Sequence, residues 1–119
     1  NPNEFMIHNN LGLIYMNRGV VFENEGELEK AEEQYDKAQK EYELELKINP
    51  YYDNAIYNWG LLYAQRKNED KAAEMWLKTL EVNPDHKGAY ANLSIYYKSI
   101  GDQEKANFYY QEATKRGVK

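Results

Sequence analysis

The residues whose side chains could do chemistry are two histidines, a dense group of glutamates and a series of asparagines. Metal binding and acid–base catalysis both need such groups gathered at short, fixed spacing. His8 and His86 stand far apart, one near an expected helix start and one beside a proline turn, so a surface or capping role is expected of each. Glu23, Glu25, Glu27, Glu29, Glu32 and Glu33 form an acidic run, and pairings such as Glu29-Lys30 and Glu69-Asp70-Lys71 are those of solvated helix faces. Asn92-Leu93-Ser94 matches a glycosylation acceptor but lies in a stretch expected to pack as helix. There is no phosphate-binding glycine loop and no nucleophile elbow, and zero cysteines remove disulfide and thiol chemistry. No enzymatic activity, cofactor or metal is therefore expected. What remains is amide chemistry: Asn10, Asn58 and Asn92 each precede a small residue, Gly12, Gly60 or Ser94, by two positions. An amide both donates and accepts, so a row of amides can hold an extended peptide backbone whatever its sequence, or can tie neighbouring elements together.

The elements that must position these amides show themselves as a repeat. Trp59-Gly60, Tyr63, Ala72 and Trp76 return as Leu93-Ser94, Tyr97, Ala106 and Tyr110, with Trp59 to Leu93, Ala72 to Ala106 and Pro50 to Pro84 all 34 residues apart, while Gly117-Val118 stands where Asn83-Pro84 would recur. Two antiparallel helices approach closely only where a side chain is nearly absent, which fits Gly60, Ser94, Ala72 and Ala106, and aromatic residues fill the space beside the crossing. Asn83-Pro84 stops a helix, because proline lacks the N–H that continuation needs. Gly101-Asp102 supplies a left-handed helix end and then an N-cap. In the second hairpin that work falls to Lys67-Asn68, with Asn as the residue expected in the left-handed conformation. This spacing and these residue types resemble the tetratricopeptide repeat, a helix–turn–helix unit.

The resemblance implies an all-α, right-handed superhelical solenoid of three hairpins in a single domain, with repeats at about 4–52, 53–86 and 87–119. The helices are expected near 4–25, 27–48, 53–66, 69–82, 87–100 and 103–116. Leu11-Gly12 and Tyr15 open the first hairpin, but Pro2 to Pro50 is 48 residues, an excess of 14 over the repeat. Gly26-Glu27 reads as the mid-hairpin turn, and the crossing alanine can be counted to Ala31 from one end and to Ala38 from the other. Both counts hold if each helix gains seven residues, so the first hairpin should overhang its neighbour by roughly 10 Å. Gly19 then lies inside a helix, at about 1 kcal/mol relative to Ala. The tip carries Val20, Val21 and Phe22, which cannot all point one way on a helix and so form a candidate interface. Asn1-Pro2-Asn3 resembles Asn49-Pro50 and Asn83-Pro84, and suggests that another repeat precedes.

In this family the first helix of each hairpin lines a concave groove. The resemblance therefore implies a lining of Met6, Asn9, Asn10, Leu13 and Asn17, then Asn54, Tyr57, Asn58, Leu61 and Gln65, then Gly88, Ala91, Asn92, Ile95 and Ser99. The peptide-binding candidates are Asn9, Asn10, Leu13, Asn54, Tyr57, Asn58, Leu61, Gln65, Asn92 and Ile95, with Asn58 expected to be the most exposed amide. Co-chaperone repeats that hold a C-terminal carboxylate place cations and asparagines at positions matching Asn9, Leu13, Asn58, Gly88 and Asn92. Only Asn58 fits, so that activity is not expected.

Composition agrees with a helical scaffold. Hydrophobic residues make up 42% and charged residues 29%, as in ordinary globular domains. Twelve tyrosines against three phenylalanines favour packing residues that keep a polar tip, which suits half-buried hairpins. A net charge of -5 argues against a nucleic-acid partner, and no apolar run is long enough for membrane insertion. The expected function is a protein or peptide binding scaffold, located in the cytoplasm. The alternatives are a self-association module of a larger assembly and a substrate-presenting arm of a larger enzyme. Weak self-association is expected through the array ends, because Phe108, Tyr109 and Tyr110 cannot all face the third hairpin.

Overall fold

The computed structural model describes the backbone of residues 4–117 and the side chains of residues 7–117, which leaves Asn1-Pro2-Asn3 and the Met6 side chain outside. Six helices follow one another, and the described residues contain no strand: α1 Glu4–Asn24, α2 Leu28–Ile48, α3 Asp53–Gln65, α4 Glu69–Val82, α5 Lys87–Ser99 and α6 Gln103–Lys115. They pair as three hairpins, α1 with α2, α3 with α4 and α5 with α6, stacked so that α2 meets α3 and α4 meets α5.

The turn chemistry is local and repeated. Gly26 (φ 80°) and Gly101 (φ 84°) take the left-handed conformation at the hairpin turns, and Asp102 caps α6 by accepting the Lys105 N–H at 3.1 Å. In the second hairpin the left-handed residue is Lys67 (φ 68°), and not Asn68 as expected. Asn68 is needed one step later, where its side chain accepts the Lys71 N–H as the N-cap of α4. α2 and α4 stop at Ile48 and Val82, immediately before Asn49-Pro50 and Asn83-Pro84.

The additional residues of the first hairpin are divided between its two arms. α1 and α2 are each 21 residues, against 13 and 14 for α3 and α4. The extension is a second copy of the crossing layer, seven residues along. A Cβ on Gly12 would lie 2.5 Å from the Tyr42 ring, and one on Gly19 would lie 2.4 Å from the Tyr35 ring. Ala38 and Ala31 are buried opposite them. Gly19 is thus a close-approach residue, which the expectation of a simple helix-propensity penalty missed. In the second hairpin Gly60 lies in the same way under the Trp76 indole. The third hairpin has Ser94 at that place, its hydroxyl donating to the Ala106 carbonyl at 3.0 Å.

Two clusters form the core. Ala31, Tyr35, Ala38, Tyr42 and Leu62 join the first hairpin to α3, and Ala72, Ala73, Trp76, Ala89 and Leu93 join the second to α5. At the tip Val20 and Phe22 pack on the first cluster, which leaves Val21, with Leu28 across from it, as the exposed apolar residue. Val20 and Phe22 are only partly buried there. Arg66 ties the overhang down by donating to Glu32 at 2.6 Å and Asp36 at 2.8 Å, but both carboxylates are largely exposed and the clamp is worth little on its own.

Candidate peptide-binding groove

The amides repeat one bond from hairpin to hairpin. The Asn58 side chain, on α3, donates to the Asn9 side chain of α1 at 3.0 Å. One repeat on, the Asn92 side chain of α5 donates to the Tyr57 hydroxyl of α3 at the same distance. Asn9 and Asn58 are buried by this arrangement, while Asn10, in the first helix, is exposed. The expectation that Asn58 is the most exposed amide is corrected: its position faces the preceding hairpin, and a buried amide must find its partners there.

Tyr57 completes the same seam. A Cβ on Gly88 would come within 2.7 Å of the Tyr57 hydroxyl, so only glycine lets the ring lie flat on the start of α5. The His86 ring sits 4.6 Å from that of Tyr57. His86 caps α5 by accepting the Ala89 N–H on Nδ1 at 3.2 Å. The proton is therefore on Nε2, which donates to the Asn54 side chain at 2.9 Å. Burial lowers the His86 pKa and holds this neutral tautomer, against a weaker pull from Asp53 in the opposite sense. Burial also raises that of Tyr57, which the bond from Asn92 partly offsets. The structure thus brings Asn54, Tyr57 and Asn92 together with His86, and Asn9 together with Asn58.

His8 meets Glu41 of α2 at 3.1 Å. Beside it Glu45 is fully buried, accepting the Asn9 N–H at 2.9 Å through one oxygen. The other oxygen has no partner among the described residues. Burial raises the Glu45 pKa, against smaller lowering effects of the Asn9 bond and His8. No group of three or more His, Cys, Asp or Glu side chains among the described residues is placed to hold a metal ion.

Of the remaining candidates, Leu13, Leu61 and Gln65 are half-buried, and Ile95 is 68% exposed. Ile95 stands at a cavity of about 160 Å³ where α3, α4 and α5 meet, lined also by Ala64, Trp76, Tyr96, Ser99, Glu69 and Asn92. Ile95, Asn92 and Ser99 are groove positions read from the sequence; Ala64, Trp76, Tyr96 and Glu69 were not. A signal for them exists in the repeat: α3 has Ala64 where α1 has Met16 and α5 has Lys98, and the missing side chain opens the space. Two further hollows share Leu46 and Trp59, one lined by Lys40, Glu43, Leu44 and Lys47 of α2 and the other by Lys71, Glu74, Met75 and Lys78 of α4.

At the far end Tyr109 stacks on Tyr97 with ring centroids 5.4 Å apart, and Phe108 and Tyr110 are the exposed members of the trio. No helix among the described residues is long and apolar enough to cross a membrane.

Family models described as tetratricopeptide repeat match residues 13–43 and 88–116, and a second model of that description matches 54–86. Comparison with curated protein sequences finds no match. Among solved structures, the crystal structure of MamA superposes with a TM-score of 0.63 at 20% identity, over 98% of this chain and 80% of that one. At that identity the likeness concerns the fold.

Proposed function

Because the chain belongs to the tetratricopeptide repeat family, whose arrays are protein-interaction scaffolds, we propose that it holds a partner segment along the α3/α5 groove, anchored by an apolar side chain beside Ile95. The observation that carries this reading is a large aliphatic residue, 68% exposed, at the edge of a mainly apolar cavity of about 160 Å³. A cavity of this order takes a branched aliphatic group or a benzene-sized ring. Glu69 and Ser99 line it and supply polar groups that can orient a backbone. Asn54, Tyr57, Asn58 and Asn92 bond within the protein, so affinity comes from the apolar anchor more than from an amide ladder.

A peptide selected from a random display library on the wild-type chain provides the test. Its affinity, measured by calorimetry, is expected to fall at least about tenfold on Ile95→Asp, or about 1.4 kcal/mol. Unchanged affinity for several independent peptides would place the binding face elsewhere.

A further inference from the structure

The side of the array formed by α2 and α4 carries a charge pattern that the repeat does not account for. Lys40, Glu43 and Lys47 on α2 have the same spacing as Lys71, Glu74 and Lys78 on α4. The two sets are 31 residues apart, against a repeat of 34, so hairpin duplication alone does not place them. All six side chains line the two hollows that share Leu46 and Trp59. Glutamate and lysine at such spacings on an exposed helix ordinarily pair with each other. Here none of the four ammonium groups lies within ion-pair distance of a carboxylate among the described residues. The four lysines are exposed and outnumber the two glutamates, in a chain whose net charge is -5. The ground between them is apolar: Leu44 is 43% exposed, and Leu46, Trp59, Tyr63 and Met75 are half-buried. At about 520 and 320 Å³, each hollow exceeds the ~150 Å³ that holds a benzene-sized group.

We propose that the two hollows form one docking site for an acidic segment of a partner protein, with a bulky apolar residue held beside Trp59 between flanking carboxylates. Charge complementarity selects this occupant. The two lysines of each helix stand seven residues apart, roughly 10 Å along its axis, and an extended segment covers that distance in about three residues. Carboxylates on both sides of one apolar anchor therefore reach lysines at both ends of the site. The lysine stems add apolar surface around the anchor while their charged heads meet the carboxylates. Glu43 and Glu74, standing between the lysines, interrupt the positive track and disfavour a uniformly charged polyanion such as nucleic acid. Because the molecule as a whole is acidic, the attraction is local to this face, and added salt weakens it.

The probe is a fluorescein-labelled, end-capped peptide with one leucine between two runs of three glutamates. Fluorescence anisotropy should show saturable binding, and nuclear magnetic resonance of the labelled chain should show the Trp59 indole N–H and the Leu44 and Met75 amides moving with it. The same peptide with glutamines for glutamates should bind at least tenfold more weakly, a comparison that leaves the protein untouched. Lys40→Glu combined with Lys78→Glu should cost at least tenfold in affinity with an unchanged helical circular dichroism spectrum. A charge-reversed peptide, with lysines for glutamates, should bind that double variant at least tenfold more tightly than wild type. Ile95→Asp should leave the acidic peptide's affinity unchanged, which keeps this site separable from the α3/α5 groove. No saturable binding at millimolar peptide, or equal affinity for the glutamine peptide, overturns the proposal. Loss of binding in Ile95→Asp overturns the location. Single-stranded DNA binding as tightly as the acidic peptide overturns the choice of occupant.

Discussion

Glu45 is the residue where burial and charge conflict most directly. Its carboxyl is fully buried with one oxygen unpaired, and its pKa is raised by desolvation. Because the folded state holds the proton more tightly than the unfolded chain, this group favours folding most below its unfolded value of 4.5, and that contribution is lost as the pH rises through the raised folded value. Gln at this position still accepts the Asn9 N–H but carries no charge to desolvate. Glu45→Gln should therefore raise the melting temperature at pH 7, with the difference from wild type closing near pH 4. A difference independent of pH would show that folding does not shift the Glu45 pKa. Lys67 offers a second local test, since it holds the left-handed position that glycine fills in the other two hairpins. Lys67→Gly should stabilise the chain by about 1 kcal/mol in urea denaturation, through relief of the left-handed penalty. Sequence reasoning assigned that conformation to Asn68. It could not weigh the capping bond, which fixes Asn68 at the following position.

At the scale of elements, almost everything that depends on spacing was legible: six helices, their ends, and the division of fourteen extra residues between two arms. These follow from proline, glycine and small-residue marks that act locally. Gly19 shows where such reading stops. Helix propensity alone says that Gly19→Ala stabilises by about 1 kcal/mol. The Tyr35 ring, however, lies where the new Cβ would go, and its hydroxyl is tied to Glu23 at 2.8 Å. Overpacking of this kind typically costs about 1–3 kcal/mol, so the expected net result is a destabilised first hairpin. A gain in stability by urea denaturation would mean that the ring has room to move. The pairing of Gly12 with Tyr42 and Gly19 with Tyr35 is a heptad-spaced relation between two helices, which no single helix displays by itself.

For the whole molecule, the stacking of hairpins decides what the amides do. Three asparagines at one repeat position looked equally suited to gripping a peptide and to joining neighbours, because sequence gives the position but not the partner. Once stacked, Asn58 and Asn92 bond backwards to Asn9 and Tyr57, while Asn10, in α1, is exposed. Asn58→Ala should accordingly lower unfolding stability by about 1–3 kcal/mol, the range for a buried polar group left unpaired. It should leave the affinity of a groove-bound peptide nearly unchanged at temperatures where the chain remains folded. A weakened peptide with unaltered stability would return Asn58 to the binding surface.

The claim that a partner segment lies along the α3/α5 groove is tested most directly by nuclear magnetic resonance. Amide shifts of the isotopically labelled chain would be followed while a display-selected peptide is added. The shifts that move first and furthest should belong to Leu61, Ala64, Gln65, Ile95, Tyr96 and Ser99, with α2 residues Lys40, Leu44 and Lys47 unmoved. Perturbations confined to the two hollows beside Trp59, around Lys40 and Lys47 or around Lys71 and Lys78, would contradict it.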